Sequence, residues 1–201
     1  MPKTQILVIG NGESRQGLDL PTLAKNKITV GCNALHRDFV VDHLICCDQR
    51  MVNEALINPA NTKIYTRPDW IDKYQKFSRV VRVPELPYRG EARWDQPFHW
   101  GSGSYALLKA AELGNDIQLI GFDLYSKDSL VNNVYKDTAN YLSKDKPAVD
   151  PNYWIHQFSM VFKSFPDKYF TIYNIGNWNM PDSWKLSNVN YKTLDTFTVT
   201  Q

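Results

Sequence analysis

The chain has 201 residues, 43% of them hydrophobic and 22% charged, with a net charge of +2. These values predict one globular unit with a substantial core and exclude disordered, fibrous and collagen-like classes. So small a charge leaves no footprint for nucleic acid, and the basic set Arg79, Arg82, Arg89 and Arg93 is read as a solvated face.

In chain order, short β-rich runs alternate with helical stretches. A strand is predicted over 5–9, followed by the turn Gly10-Asn11-Gly12-Glu13-Ser14 and a short helix near 15–25. A second strand, 28–30, ends at Gly31-Cys32-Asn33, and a third lies within 40–47. A helix follows over 49–57, then strands at 63–66 and 79–83 with a helix near 69–77 between them. Residues 84–101 hold Pro84, Pro87, Gly90, Pro97 and Gly101 and are read as a loop. A helix starts at Ser102 or Ser104 and stops at Gly114, and a strand over 117–120 follows. Asp150-Pro151 opens a further helix, with Trp154, Phe158, Val161, Phe162 and Phe165 forming one apolar stripe. The last core strand is placed at 169–175, and another strand is read into the tail at 196–199. Strands separated by helices predict a Rossmann-like α/β fold, a mainly parallel sheet with helices on both faces. Residues 1–201 are expected to form one nucleotide-binding domain, with a small lid-like insertion at about 124–150.

No apolar stretch approaches the ~20 residues that span a bilayer. The apolar run 6–9 near the start is too short for a signal-peptide core. Cys32, Cys46 and Cys47 show no paired spacing for disulfides or zinc and are read as reduced, buried thiols. A cytoplasmic location follows as the expectation.

Open α/β sheets bind ligands outside the carboxyl ends of their strands. Three such ends carry informative residues: Gly10 to Ser14, Cys32-Asn33, and Gly121-Phe122-Asp123. Glycines let backbone approach a ligand, and N–H groups at the following helix start can face phosphate oxygens. A tight turn needs glycine on steric grounds as well, so this turn alone leaves a structural reading open. Arg15 stands where the dinucleotide fingerprint has its third glycine, and Asn33 stands where that fingerprint has an acid. No Gly-Lys-Ser/Thr is present, and no Asp-x-Asp offers a metal clamp for a diphosphate. The amide of Asn33 can donate and accept at once, as reading a base edge or ribose requires.

Ile6 to Ser14, Cys32-Asn33, Gly101-Ser102-Gly103-Ser104-Tyr105 and Ile120-Gly121-Phe122-Asp123-Leu124-Tyr125 together resemble the bacterial CMP-sialic-acid-dependent sialyltransferases that decorate lipooligosaccharide. The four blocks match in order and approximate spacing over about residues 5–175. Weaker likeness, through the Asn-Gly turn, extends to motility-accessory-factor and pterin-pyrophosphokinase-like proteins. The resemblance implies metal-independent, inverting glycosyl transfer from a nucleotide-sugar donor, CMP-linked, to a glycan or other hydroxyl acceptor. It implies no separate cofactor and no metal site. Asn11, Gly12, Ser14, Asn33, Ser102, Gly103 and Asp123 would hold the nucleotide. Tyr125 and Tyr135 would assist the departing phosphate, and His156 would be the base.

At about 100° per residue, His156 lies opposite the apolar stripe of its helix, so it is either solvated or faces a cleft. His36, His43 and His99 carry weaker signals. The chain departs from the family pattern at Glu13, in place of a common proline, and at Asp48, whose carboxylate would repel a second anion. An arginine frequent just before the Ser-Gly block is missing, with His99 and Trp100 in that neighbourhood. Trp94, Trp100, Tyr153 and Trp154 are read as packing. Two further functions stay open: pyrophosphokinase-like transfer using ATP and magnesium with Asp48 and Asp123, and a non-catalytic nucleotide-binding module.

Overall fold

The structure is a computed structural model describing residues 4–87 and 100–199. Its centre is an eight-stranded sheet in the order β5-β4-β3-β2-β1-β6-β7-β8, with every neighbouring pair parallel. The strands are β1 (Gln5–Ile9), β2 (Ile28–Cys32), β3 (His43–Ile45), β4 (Lys63–Thr66), β5 (Val80–Arg82), β6 (Asp116–Ile120), β7 (Tyr169–Asn174) and β8 (Val189–Thr193). Successive strands run outward from β1 to one edge, and the chain then crosses to the other side of β1 to lay down β6. That reversal is the topological switch point, where the connections leave in opposite directions and open a crevice.

Strand β1 shows why the sheet is sealed on both faces. Ile6, Leu7, Val8 and Ile9 are all fully buried. Ile6 and Val8 join one core with α3 (Ser102–Leu113) and α4 (Asn152–Ser164), while Leu7 and Ile9 join the other. The second core is closed by α1 (Leu20–Leu23), α2 (Gln49–Ile57) and α5 (Leu194–Val199). Period-two alternation with both faces covered is what makes β1 read as a continuous apolar run. No helix among the described residues is long and apolar enough to cross a membrane.

Several elements differ from the sequence reading. The helix expected near 15–25 is two short pieces, a 3-10 turn at Glu13–Arg15 and α1, split where Gly17 takes φ +80°. The helix expected near 69–77 is a 3-10 segment, Pro68–Tyr74. In the tail, the predicted strand at 196–199 falls inside α5, and β8 precedes it. As an edge strand, β8 is half solvated and its sequence Val-Asn-Tyr-Lys-Thr carries little apolar signal. Helix α4 begins at Asn152, whose N–H donates to Asp150 Oδ1 at 3.0 Å. Arg89, Arg93, Trp94 and His99 lie outside the described residues.

Candidate functional site

The crevice at the switch point is a cavity of about 640 Å³ over the carboxyl ends of β1, β2 and β6. Its floor is the glycine turn. Gly10 N–H donates to Ile120 O and Gly12 N–H donates to Gly121 O, both at 2.8 Å, so the turns after β1 and β6 are laced together. Gly121 takes φ +71°, and a Cβ there would stand 2.8 Å from Gly10 O. At Gly12 a Cβ would come within 2.6 Å of Asp123 Oδ2. These glycines are therefore required by close approach of backbone and carboxylate.

Asp123 is buried, and its carboxylate accepts Ser14 N–H at 2.9 Å and the Ser14 hydroxyl. Burial pushes its carboxyl above the usual 3.8, while the bonds from Ser14 and Asn132 pull it down. Unfolded Asp123 titrates near its ordinary value and folded Asp123 higher, so the folded state holds more protons between the two. Stability is thus expected to fall as pH rises through that window and to level off above it. Asp123→Asn should remove this fall in melting temperature with pH. An unchanged pH slope in the variant would contradict the assignment.

Two amides face the cavity with buried acceptors. Asn11 Nδ2 donates to Cys32 O at 3.2 Å, which leaves its Oδ1 buried without a hydrogen-bond partner among the described residues. Asn33 follows β2 at φ +52°, a conformation asparagine tolerates, and its Oδ1 is buried and likewise unpartnered. Opposite them stands the start of α3, with Gly101 as N-cap and no side chain capping it. The first-turn N–H groups of a helix lack intrahelical acceptors and favour an anion. Ser102 Oγ accepts Cys47 N–H at 2.9 Å, leaving its proton to donate elsewhere. Ser104 is fully buried, lines the cavity, and its Oγ has no partner among the described residues. An unmade bond of this kind costs about 1 kcal/mol or more. Ser104→Ala is therefore expected to raise the melting temperature of the free protein, by about 2–4 °C for a gain of about 1 kcal/mol.

The far wall is the insertion and the start of α4, including Tyr125, Asn132, Leu142, Val149, Asp150 and Trp154. Among the described lining residues, charge is confined to Asp123 and Asp150. The insertion is turn-rich: five of the seven non-glycine residues with positive φ lie within it, beginning with Leu124 at +55°. It is tied to the turn after β1. Asn132 Oδ1 accepts Glu13 N–H at 2.8 Å, Val134 N–H donates to Asn11 O at 2.9 Å, and Lys136 pairs with Glu13. Glu13 thus supplies an N–H that a proline could not.

Of the residues expected from sequence, Asn11, Gly12, Asn33, Ser102, Gly103, Asp123 and Tyr125 line this one cavity. Ser14 stands behind it, holding Asp123. Tyr135 and His156 do not line it. Tyr135 is buried, accepting from Arg15 Nη2 at 2.9 Å and donating to Asp38 Oδ2 at 2.6 Å. His156 is half-buried on α4 with Nε2 shielded from solvent. His36 pairs with Glu54 and His43 with the Tyr65 hydroxyl, away from the cavity. Asp48 accepts Arg50 N–H at 2.8 Å and pairs with its guanidinium, so it does not join Asp123 at the cavity.

Sequence reasoning missed Asn132 and Asp150 as lining residues: Asn132 was marked only by its place in a polar stretch after β6, and Asp150 only as the opening of a helix. Trp154 was read as packing and is half-buried against the cavity, while Trp100 is fully buried. All three cysteines are free thiols, Cys32 and Cys46 buried as expected and Cys47 half-buried, with Cys32 and Cys47 pushed up to about 12 by desolvation.

Comparison with known proteins adds no relative: no family model matches the chain, and neither do curated proteins or solved structures.

Proposed function

We propose that this chain is a glycosyltransferase that moves a sialic-acid-like sugar from a CMP-linked donor to a hydroxyl acceptor. The observation that carries this reading is the single cavity at the switch point. It combines the glycine turn, two buried amide oxygens seeking donors, and an uncapped helix start with a buried serine hydroxyl. Ribose and base edges offer the donors that Asn11 and Asn33 lack. A single phosphate suits the α3 terminus, where backbone N–H and the Ser102 and Ser104 hydroxyls act in place of a cation. Tyr125 lines the same cavity, and in this reading its phenol donates to the departing phosphate.

In the reaction, the bond from the sugar's anomeric carbon to the phosphate oxygen breaks as the acceptor oxygen bonds to the opposite face. The acceptor's proton passes to a base, and CMP leaves with the electron pair. Asp150 lines the cavity and is exposed to it, and we place that base there. His156 is the second candidate, from the sequence resemblance. Incubation with CMP-sialic acid and a panel of sugar acceptors, followed by free CMP, tests the reading. CMP release that depends on acceptor supports it; no binding and no release with CMP-, UDP- or GDP-linked donors would overturn it.

One observation favours a second reading, nucleotide binding without transfer. Of the three side chains expected to be catalytic, only Tyr125 lines the cavity.

A further inference from the structure

Arg15 occupies a place behind the glycine turn that nucleotide binding does not explain. Its side chain is 5% exposed. Nε donates to Gly10 O at 2.7 Å, the carbonyl that opens the turn. Nη2 donates to Tyr135 OH at 2.9 Å and reaches Asp38 Oδ2 at 3.3 Å. The phenol closes the triangle by donating to the same Asp38 oxygen at 2.6 Å. Three separate segments therefore meet at one buried guanidinium: the turn after β1, the end of the 3-10 segment Asn33–Arg37, and the insertion. Immediately beside it, Val134 N–H holds Asn11 O.

We propose that Arg15, Tyr135 and Asp38 form a positioning triad that fixes the Asn11-Gly12 turn against the insertion, with Tyr135 acting through Arg15 rather than on a ligand. This rests on the nucleotide reading of the cavity for its consequence, but the coupling itself is a property of the empty protein. Arg15 and Tyr135 are buried while Asp38 is 44% exposed, so the charge-assisted bonds centred on the shielded guanidinium act as a unit, and removing one member loosens the rest.

The test uses Tyr135→Phe, which removes one hydroxyl and keeps the ring. In ligand-free protein, amide exchange at Gly12, Glu13 and Val134 is expected to speed up at least about tenfold, with β6 amides such as Leu119 unchanged. Unchanged exchange at Gly12 and Glu13 would overturn the proposal. Titration of wild type and variant at 25 °C with CMP and with cytidine gives the second readout. A positioning role lowers both affinities by the same factor, which a change in global stability alone would not do well below the melting temperature. A loss confined to CMP would overturn the proposal by placing Tyr135 on the phosphate. If wild type binds neither compound, the nucleotide reading fails and the exchange result alone decides the triad.

Discussion

Gly12→Ala is expected to weaken CMP binding about a hundredfold, a difference of about 2.7 kcal/mol, and to destabilise the free protein by about 1–3 kcal/mol. The added methyl would lie within 2.6 Å of Asp123 Oδ2. That carboxylate has nowhere to retreat. Ser14 holds both its oxygens, and its own backbone carbonyl accepts Trp178 Nε1–H at 2.6 Å from the other side. The turn must therefore move, and Asn11 with it. Because the conflict is between one methyl and one carboxylate, Asp123→Ala in the Gly12→Ala background should recover part of the lost stability. Melting curves and CMP titrations on the two single variants and the double variant check this. Unchanged affinity in Gly12→Ala would mean that the ligand is not seated on this turn.

Asp150→Asn is expected to lower transfer about 10²–10⁴-fold with nucleotide affinity unchanged, as loss of a general base does. Asp150 and Trp154 both line the cavity, at the opening of α4. His156 lies about 200° further round the helix than Trp154 and leaves the axis in another direction. It does not line the cavity. A base must come within hydrogen-bond reach of the acceptor hydroxyl, directly or through one water. Geometry thus favours Asp150, and His156→Ala is expected to cost less than about tenfold. The reverse pattern, large loss at His156 and little at Asp150, would restore the assignment implied by the sequence resemblance. Single-turnover release of CMP in both variants separates the two.

The sheet was legible because burial on both faces leaves a plain mark. Ile6-Leu-Val-Ile9 can only be a covered parallel strand, and the glycines after it and after Ile120 announce where strands end. The helix Ser102–Leu113 was legible through its stop at Gly114, although Gly101 is its N-cap and the serines read as caps lie inside it. Edge and short elements were not. Strand β8 has one solvated face, and residues 15–25 were split by Gly17, whose left-handed conformation single-sequence periodicity does not reveal. For the site, the residues just after β1, β2 and β6 were found because topology dictates their place. Tyr135 was different: the family resemblance implies a role at the departing phosphate, yet the backbone of the insertion turns it down onto Arg15 and Asp38. Asn132 carries no local pattern and Asp150 reads only as a helix opener, since the folding of the insertion alone brings them to the cavity.

The proposed function requires that the cavity over β1, β2 and β6 bind a cytidine monophosphate group. A titration of wild type, Asn11→Ala and Ser104→Ala with CMP, read by melting temperature, checks this. At about a hundred times its dissociation constant, CMP should stabilise wild type by about 2.7 kcal/mol, a rise of roughly 5–11 °C. Asn11→Ala should lose most of that rise, and Ser104→Ala should start higher and gain less. No rise in wild type, or the same rise in all three proteins, would contradict the claim.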